Sequence, residues 1–394
     1  MMGMMMTLAL MLAMQDDPGQ LTRADSLQQA RAEKAGNLQM PTRNFLERGL
    51  HEFKERRLME RFKEGFHGFH PIIGGIRSGS GFGGGTYVEG KGIRVSAQTS
   101  LNGYQKYEVR LNAPLSSDLF FADFRATYRD FTQERFFGSG PDSRKEDETN
   151  FRQEDKNYAG RFGVTPAKHI KAGVVAGWLE TNIGKGTNRT SPSIENRFGS
   201  DQAPGLILQP NYLQTGAFVE VDNRDEPGNP RSGGLYTASW TSFDDRKLGQ
   251  YGFDQYNIEA QHYFPFFNKR RVIAVRGKTT MTDTASGQEV PFFMQPTLGG
   301  SQDLRGFSEF RFRGRNMVVL NAEYRWEAFS GLDLALFADA GQVAGKVGDF
   351  RLSEFQKAYG TGFRFNAAKS VFLRMDVGFS NEGARLFVKF SHVF

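Results

Sequence analysis

Leu332-Asp333-Leu334-Ala335-Leu336-Phe337-Ala338-Asp339 decides how this chain is read. In an extended backbone successive side chains point to opposite faces, so Leu332, Leu334, Leu336 and Ala338 share one side and Asp333, Ala335, Phe337 and Asp339 share the other. One side is wholly apolar and the other carries two carboxylates. Working outward, Gly92-Ile-Arg-Val-Ser-Ala-Gln-Thr-Ser-Leu101, Tyr107-Glu-Val-Arg-Leu111 and Leu119-Phe-Phe-Ala-Asp-Phe-Arg-Ala-Thr-Tyr128 also read as strands. A soluble sandwich shows the same alternation. Its repetition over ~320 residues after Pro71, with no return of a helical period, distinguishes a closed antiparallel barrel.

Sixteen such segments are predicted near 71–80, 82–89, 92–102, 104–113, 119–136, 151–165, 168–182, 212–222, 234–243, 252–264, 271–282, 316–328, 332–343, 358–366, 370–380 and 384–394. The connections 114–118, 166–167, 223–233, 265–270, 329–331 and 367–369 are short, whereas 137–150, 183–211, 283–315 and 344–357 are long. Short turns on one rim and long loops on the other mark a barrel of the Gram-negative outer membrane. The reading is therefore all-β: a sixteen-stranded antiparallel outer-membrane β-barrel over 69–394, with both ends on the short-turn, periplasmic rim.

Composition agrees. The 394 residues include 37 Phe, 46 Gly, 14 Pro and no Cys, which excludes disulfide frameworks, thiolate metal sites and cysteine nucleophiles. No long apolar run follows the N-terminus, so a helical membrane protein is excluded. The net charge is +6, but Lys and Arg are interleaved with Asp and Glu without a basic block, which argues against nucleic acid as a partner. Outer-membrane lipid is the partner that the barrel pattern requires.

Residues 1–15 form an apolar, Met-rich run that reads as a signal peptide too short to span a bilayer. Residues 16–68 read as a periplasmic helical segment. Within it Phe45, Leu46, Gly49, Leu50, Phe53, Arg57 and Leu58 form a stripe at helical spacing, giving a helix over 42–66 outside the membrane wall. The ~45 residues available are too few for a complete βαββ-type periplasmic docking (POTRA) module.

Four segments stand out in order: Val221-Asp-Asn-Arg-Asp-Glu-Pro-Gly-Asn-Pro-Arg-Ser-Gly-Gly234, Leu298-Gly-Gly-Ser-Gln-Asp-Leu-Arg-Gly-Phe307, Asn321-Ala-Glu-Tyr-Arg-Trp326 and Phe337-Ala-Asp-Ala-Gly-Gln-Val343, followed by a terminal Phe394. In order and spacing they resemble the BamA/TamA outer-membrane insertase superfamily, also seen in two-partner secretion transporters; the resemblance covers about 71–394. It implies a barrel that handles outer-membrane polypeptides, with unfolded outer-membrane proteins as clients. The competing reading is a channel or structural barrel for ions, solutes or lipid.

Two candidate sites follow. Arg305, Gly306 and Phe307 lie in a long loop, while Glu323 and Asp339 lie on adjacent strands opposite the lipid-facing Val318, Leu320, Ala322, Tyr324, Leu334 and Leu336. Both carboxylates therefore face the lumen, where a loop folded inward places Arg305 between them in a charge-assisted contact. The resemblance implies the same internal lock. The alternative is an ordinary ion pair between neighbouring strands. Second, Gly74, Gly75, Gly79, Gly81, Gly83, Gly84 and Gly85 weaken the first strand pair. The resemblance implies a lateral seam there, joining the first strand to the last with its terminal Phe394; relief of crowding inside the barrel explains the glycines equally well.

Other motifs carry no chemistry. Gly79-x-Gly81-x-x-Gly84 lacks the strand and helix of a dinucleotide site, and the stretch Gly85–Gly92 lacks the Ser or Thr of a phosphate loop. The six His show no metal-ligand spacing, and acidic pairs such as Asp244-Asp245 fall in loops. No catalytic residue, metal or cofactor is expected.

Overall fold

The computed structural model describes residues 23–36, 68–77, 79–113, 115, 119–367, 370–390, 392 and 394. The chain separates into two units, Met1–Arg48 and Gly49–Phe394. In the first, a helix runs over Arg23–Gly36, and its described side chains are exposed. The signal peptide expected at 1–15 and the amphipathic stripe expected at 42–66 lie outside the described residues.

The second unit is a sixteen-stranded antiparallel sheet in which every strand pairs with its neighbour in sequence. Its strands are β1 (Phe69–Ile73), β2 (Gly83–Gly90), β3 (Ile93–Ser100), β4 (Gln105–Ala113), β5 (Phe120–Phe136), β6 (Thr149–Ala167), β7 (Ile170–Lys185) and β8 (Asn211–Asp222). They continue as β9 (Gly233–Asp245), β10 (Phe253–Phe266), β11 (Arg271–Asp283), β12 (Asn316–Phe329), β13 (Leu332–Ala344), β14 (Gln356–Asn366), β15 (Val371–Ser380) and β16 (Gly383–Lys389). This up-and-down barrel satisfies backbone groups between strands, as a wall in hydrocarbon requires.

The two faces of the wall differ in chemistry. On β13 Asp333, Ala335, Phe337 and Asp339 are buried, while Leu336 is 51% exposed. Val95, Phe162, Val174, Leu320 and Leu386 are likewise exposed on other strands. An apolar belt of this extent is a lipid-facing surface. Inside, buried polar and charged side chains are about as numerous as buried apolar ones, which gather in clusters beneath the long loops.

The first strand departs from the expected span of 71–80, ending at Ile73. Gly74, Gly79 and Gly81 adopt φ of 122°, 87° and 74°. In that left-handed region the chain leaves the pleat, so 74–77 and 79–82 are irregular. The last strand, expected to reach 394, ends at Lys389.

At both mouths a connection folds inward and bonds to elements beyond its own strand pair. On the long-loop rim Arg311 joins three connections, its Nε donating to Glu382 at 2.6 Å and its Nη2 to the Ser143 carbonyl at 2.8 Å. On the short-turn rim the β8–β9 turn crosses the opening. The Arg231 Nη2 donates to both oxygens of Asp333 on β13 at 2.8 and 2.6 Å, and the Val371 amide at the start of β15 donates to the Gly228 carbonyl at 3.0 Å. Asp225 braces the turn by accepting the Arg231 and Ser232 amides and the Lys269 ammonium. Burial opposes its charge, yet these donors hold its carboxyl well below the usual range.

Candidate functional site: a loop locked inside the lumen

The β11–β12 connection enters the barrel as a hairpin closed by a two-pair ladder, Thr297 with Arg313 and Leu298 with Phe312. Its tip carries Arg305, Gly306 and Phe307, and the three residues divide the work. Phe307 is fully buried against Phe312, ring centroids 5.2 Å apart, in a cluster with Leu298, Leu304, Met317 and Val319. Gly306 lies on β15, its carbonyl accepting from the Ser380 hydroxyl at 2.8 Å. Arg305 enters the charged interior.

Arg305 has no exposed surface. Its Nε donates to Asp339 Oδ2 at 2.8 Å and its Nη2 to Asp339 Oδ1 at 2.8 Å, a bidentate fork. Its backbone amide donates to the same Oδ2 at 3.1 Å, and its Nη1 to Glu323 Oε2. The guanidinium also sits 3.7 Å from the centroid of the Phe337 ring, a cation–π contact. Burial works against the charge of Arg305, but Asp339 and Glu323 outweigh it and hold the guanidinium above its ordinary pKa. The structure thus brings Arg305, Glu323 and Asp339 together from the loop, β12 and β13.

Strand register explains the carboxylates. Asn321 faces Asp339 and Glu323 faces Phe337 across the β12–β13 ladder, so both acids project inward on diagonal positions. Asn321 completes Asp339 by donating to Oδ1 at 2.8 Å, and it holds the Asp303 carbonyl of the loop at 2.7 Å.

Several members of this network were not singled out from the sequence. Glu323 also accepts from Arg325 at 2.7 Å and from Arg364 of β14 at 2.9 Å. Arg364 continues to Asp376 of β15 at 2.6 Å, and Arg374 meets Asp376 at 3.2 Å and donates to the Ser301 carbonyl at 2.9 Å. Arg364, Arg374 and Asp376 are all at most 1% exposed. The available signal was a charge between apolar neighbours in a strand, as in Phe363-Arg364-Phe365. Gly378 was also missed. A Cβ there would stand 1.4 Å from the Arg305 carbonyl oxygen, so only glycine admits the loop tip against β15.

The expected seam residues separate into two places. Gly74, Gly75 and Gly79 line a cavity beside β16, and a Cβ on Gly74 would lie 3.3 Å from the Phe390 ring. Phe82 meets Phe390 edge-on with ring centroids 6.3 Å apart. Phe394 instead turns into the lumen. Its carbonyl accepts from the Tyr263 hydroxyl at 2.5 Å, and its ring lies 5.8 and 5.9 Å from the guanidiniums of Arg276 and Arg325. The departure after Lys389 is what a chain end drawn to buried cations and a phenol produces.

Among the described residues no group of His, Asp or Glu is arranged to hold a metal ion. No curated protein matches the sequence. The fold is similar to BamA from Haemophilus ducreyi lacking POTRA domains 1–3, with TM-score 0.58 and 14% identity over 81% of this chain and 66% of that one. It is also similar to CdiB from Escherichia coli, with TM-score 0.50 and 13% identity over 81% of this chain and 61% of that one. This chain therefore spans somewhat under two thirds of the length of those chains, and at such identities the likeness is one of fold. Residues 88–385, most of the barrel with its inward loop, match the Omp85 superfamily domain, and this outer-membrane β-barrel belongs to that superfamily.

Proposed function

We propose that the barrel inserts or translocates outer-membrane polypeptides through the seam between β1 and β16, while the Arg305 lock keeps the long loop seated in the lumen. Unfolded outer-membrane proteins are the clients. The observation that carries this reading is the weakness of the seam. The ladder order begins at β1, which has 5 residues, and ends at β16, which has 7, whereas β10 has 14. The neighbouring residues 74–77 and 79–82 are irregular, so register is poorly specified where a client strand would add. Inward-folded connections at both mouths also argue against an open solute pore as the main activity.

The chain contains no Cys, which makes the test clean. Phe82→Cys and Phe390→Cys, joined by a short bis-maleimide, tether the seam shut. In proteoliposomes the untethered protein should accelerate folding of a urea-unfolded client barrel, and the tethered form should lose that acceleration. Solute flux without any acceleration would replace this reading with the channel.

A further inference from the structure

Between β16 and the irregular residues 74–77 and 79–82 lies a cavity of about 710 Å³. Its lining is cationic. Arg77 and Arg135 contribute but are engaged with Glu134 at 3.1 Å and Glu148 at 3.4 Å. Arg374, Arg385 and Lys389 line it from β15 and β16. Glu309 is the carboxylate in the lining, 3.7 Å from Lys389.

Arg374 is 1% exposed, and its Nη1 is buried with no hydrogen-bond partner among the described residues. The Nε of Arg385 is in the same condition. An unsatisfied buried guanidinium nitrogen is costly unless an acceptor reaches it. The network offers Arg374 one carboxylate, Asp376, 3.2 Å from its Nε, and Nη1 stays without an acceptor among the described residues. Arg305, Arg325, Arg364 and Arg374 share Glu323, Asp339 and Asp376, which leaves one positive charge in excess.

The outer side of the same strand has the opposite chemistry. Alternation puts Arg385, Phe387 and Lys389 inward and Leu386, Val388 and Phe390 outward, where they are 62%, 47% and 40% exposed. At the seam these two surfaces meet where β1 and β16 share no ladder pair among the described residues. A ligand that fits must be anionic inside and apolar outside.

We propose that this cavity binds an anionic phospholipid, its phosphate held by Arg374, Arg385 and Lys389 and its acyl chains lying along Leu386, Val388 and Phe390. A phosphodiester offers two charged oxygens to a guanidinium fork. A free anion would leave the apolar strip unused. This inference stands apart from the insertion reading, because it concerns occupancy of the seam whatever passes through it.

The test uses the full chain in neutral detergent, titrated with phosphatidylglycerol or phosphatidylcholine of identical chains and read by native mass spectrometry. Phosphatidylglycerol adducts should persist where phosphatidylcholine adducts are lost. Arg385→Gln should weaken phosphatidylglycerol binding about tenfold, the loss expected for one charge-assisted hydrogen bond. Lys156→Gln, at a 51% exposed lysine elsewhere on the wall, should leave it unchanged. Arg374→Gln should act like Arg385→Gln; if it does not fold, Arg385→Gln decides, since that side chain joins no ion pair among the described residues. Equal retention of the two lipids would overturn the proposal, as would equal losses in Arg385→Gln and the Lys156 control. Displacement of phosphatidylglycerol by millimolar inorganic phosphate would make it a free-anion site instead. Binding of a Phe-ending strand peptide with no phosphatidylglycerol binding would assign the cavity to polypeptide and reject the lipid.

Discussion

Arg305→Ala isolates the lock. The substitution removes the fork to Asp339, the contact with Glu323 and the stacking over Phe337. The two carboxylates do not suffer equally. Glu323 keeps Arg325 at 2.7 Å and Arg364 at 2.9 Å, whereas Asp339 keeps only the Asn321 amide at 2.8 Å and a backbone amide among its described hydrogen bonds. The orphaned charge is therefore Asp339, and it is 2% exposed. Breaking a buried pair from one side costs about 3–5 kcal/mol, and full burial puts this site at the upper part of that range. Asp339→Asn should cost less, because Arg305 retains Glu323. If the two touch as described, the double variant should be less destabilised than the sum of the singles by at least about 1 kcal/mol. Arg305→Lys should rescue only part of the loss, since an ammonium cannot fork onto Asp339 while reaching Glu323. Urea unfolding in detergent gives the energies, and limited proteolysis between residues 300 and 315 reports whether the loop tip has left its seat. Strictly additive losses, or an unchanged cleavage rate in Arg305→Ala, would show that the lock does not hold the loop.

Two further predictions need different perturbations. Gly378→Ala changes no charge but sets a methyl 1.4 Å from the Arg305 carbonyl oxygen, so it should free the loop as Arg305→Ala does, with the same rise in proteolysis; wild-type protection would contradict the packing. His392, past the end of β16, is held by burial, with Arg325, Arg224 and Arg374 adding to the effect, at a pKa of about 4 against the ordinary 6.5. The folded chain end therefore favours neutral imidazole: its contribution is present above pH 6.5 and lost as pH falls through about 4. An NMR titration of the His392 ring in detergent checks this, and a midpoint near 6.5 would place the chain end in solvent.

The alternation in Leu332–Asp339 and its counterparts carried the fold, because a barrel wall separates lipid from lumen at every residue and so writes a period of two along each strand. Strand number, rim assignment and the inward direction of Glu323 and Asp339 were legible for the same reason. So was Arg305 as their candidate partner, since a cation in a long loop and two luminal acids are complementary in chemistry alone. Other features belong to no local pattern. Arg364, Arg374 and Asp376 join the network because β14 and β15 follow β13 in the sheet and present their inward faces to the loop tip, and where that tip seats is not written in the strands' own sequence. Gly378 looks like any strand glycine until the Arg305 carbonyl is seen against it. The terminal Phe394 reads as the end of a wall strand, but the pull of Tyr263, Arg276 and Arg325, brought together by β10, β11 and β12, draws it into the lumen. Local chemistry thus determined which way each side chain points, while the curved sheet and the loop seated in it decided which of the inward-pointing groups meet.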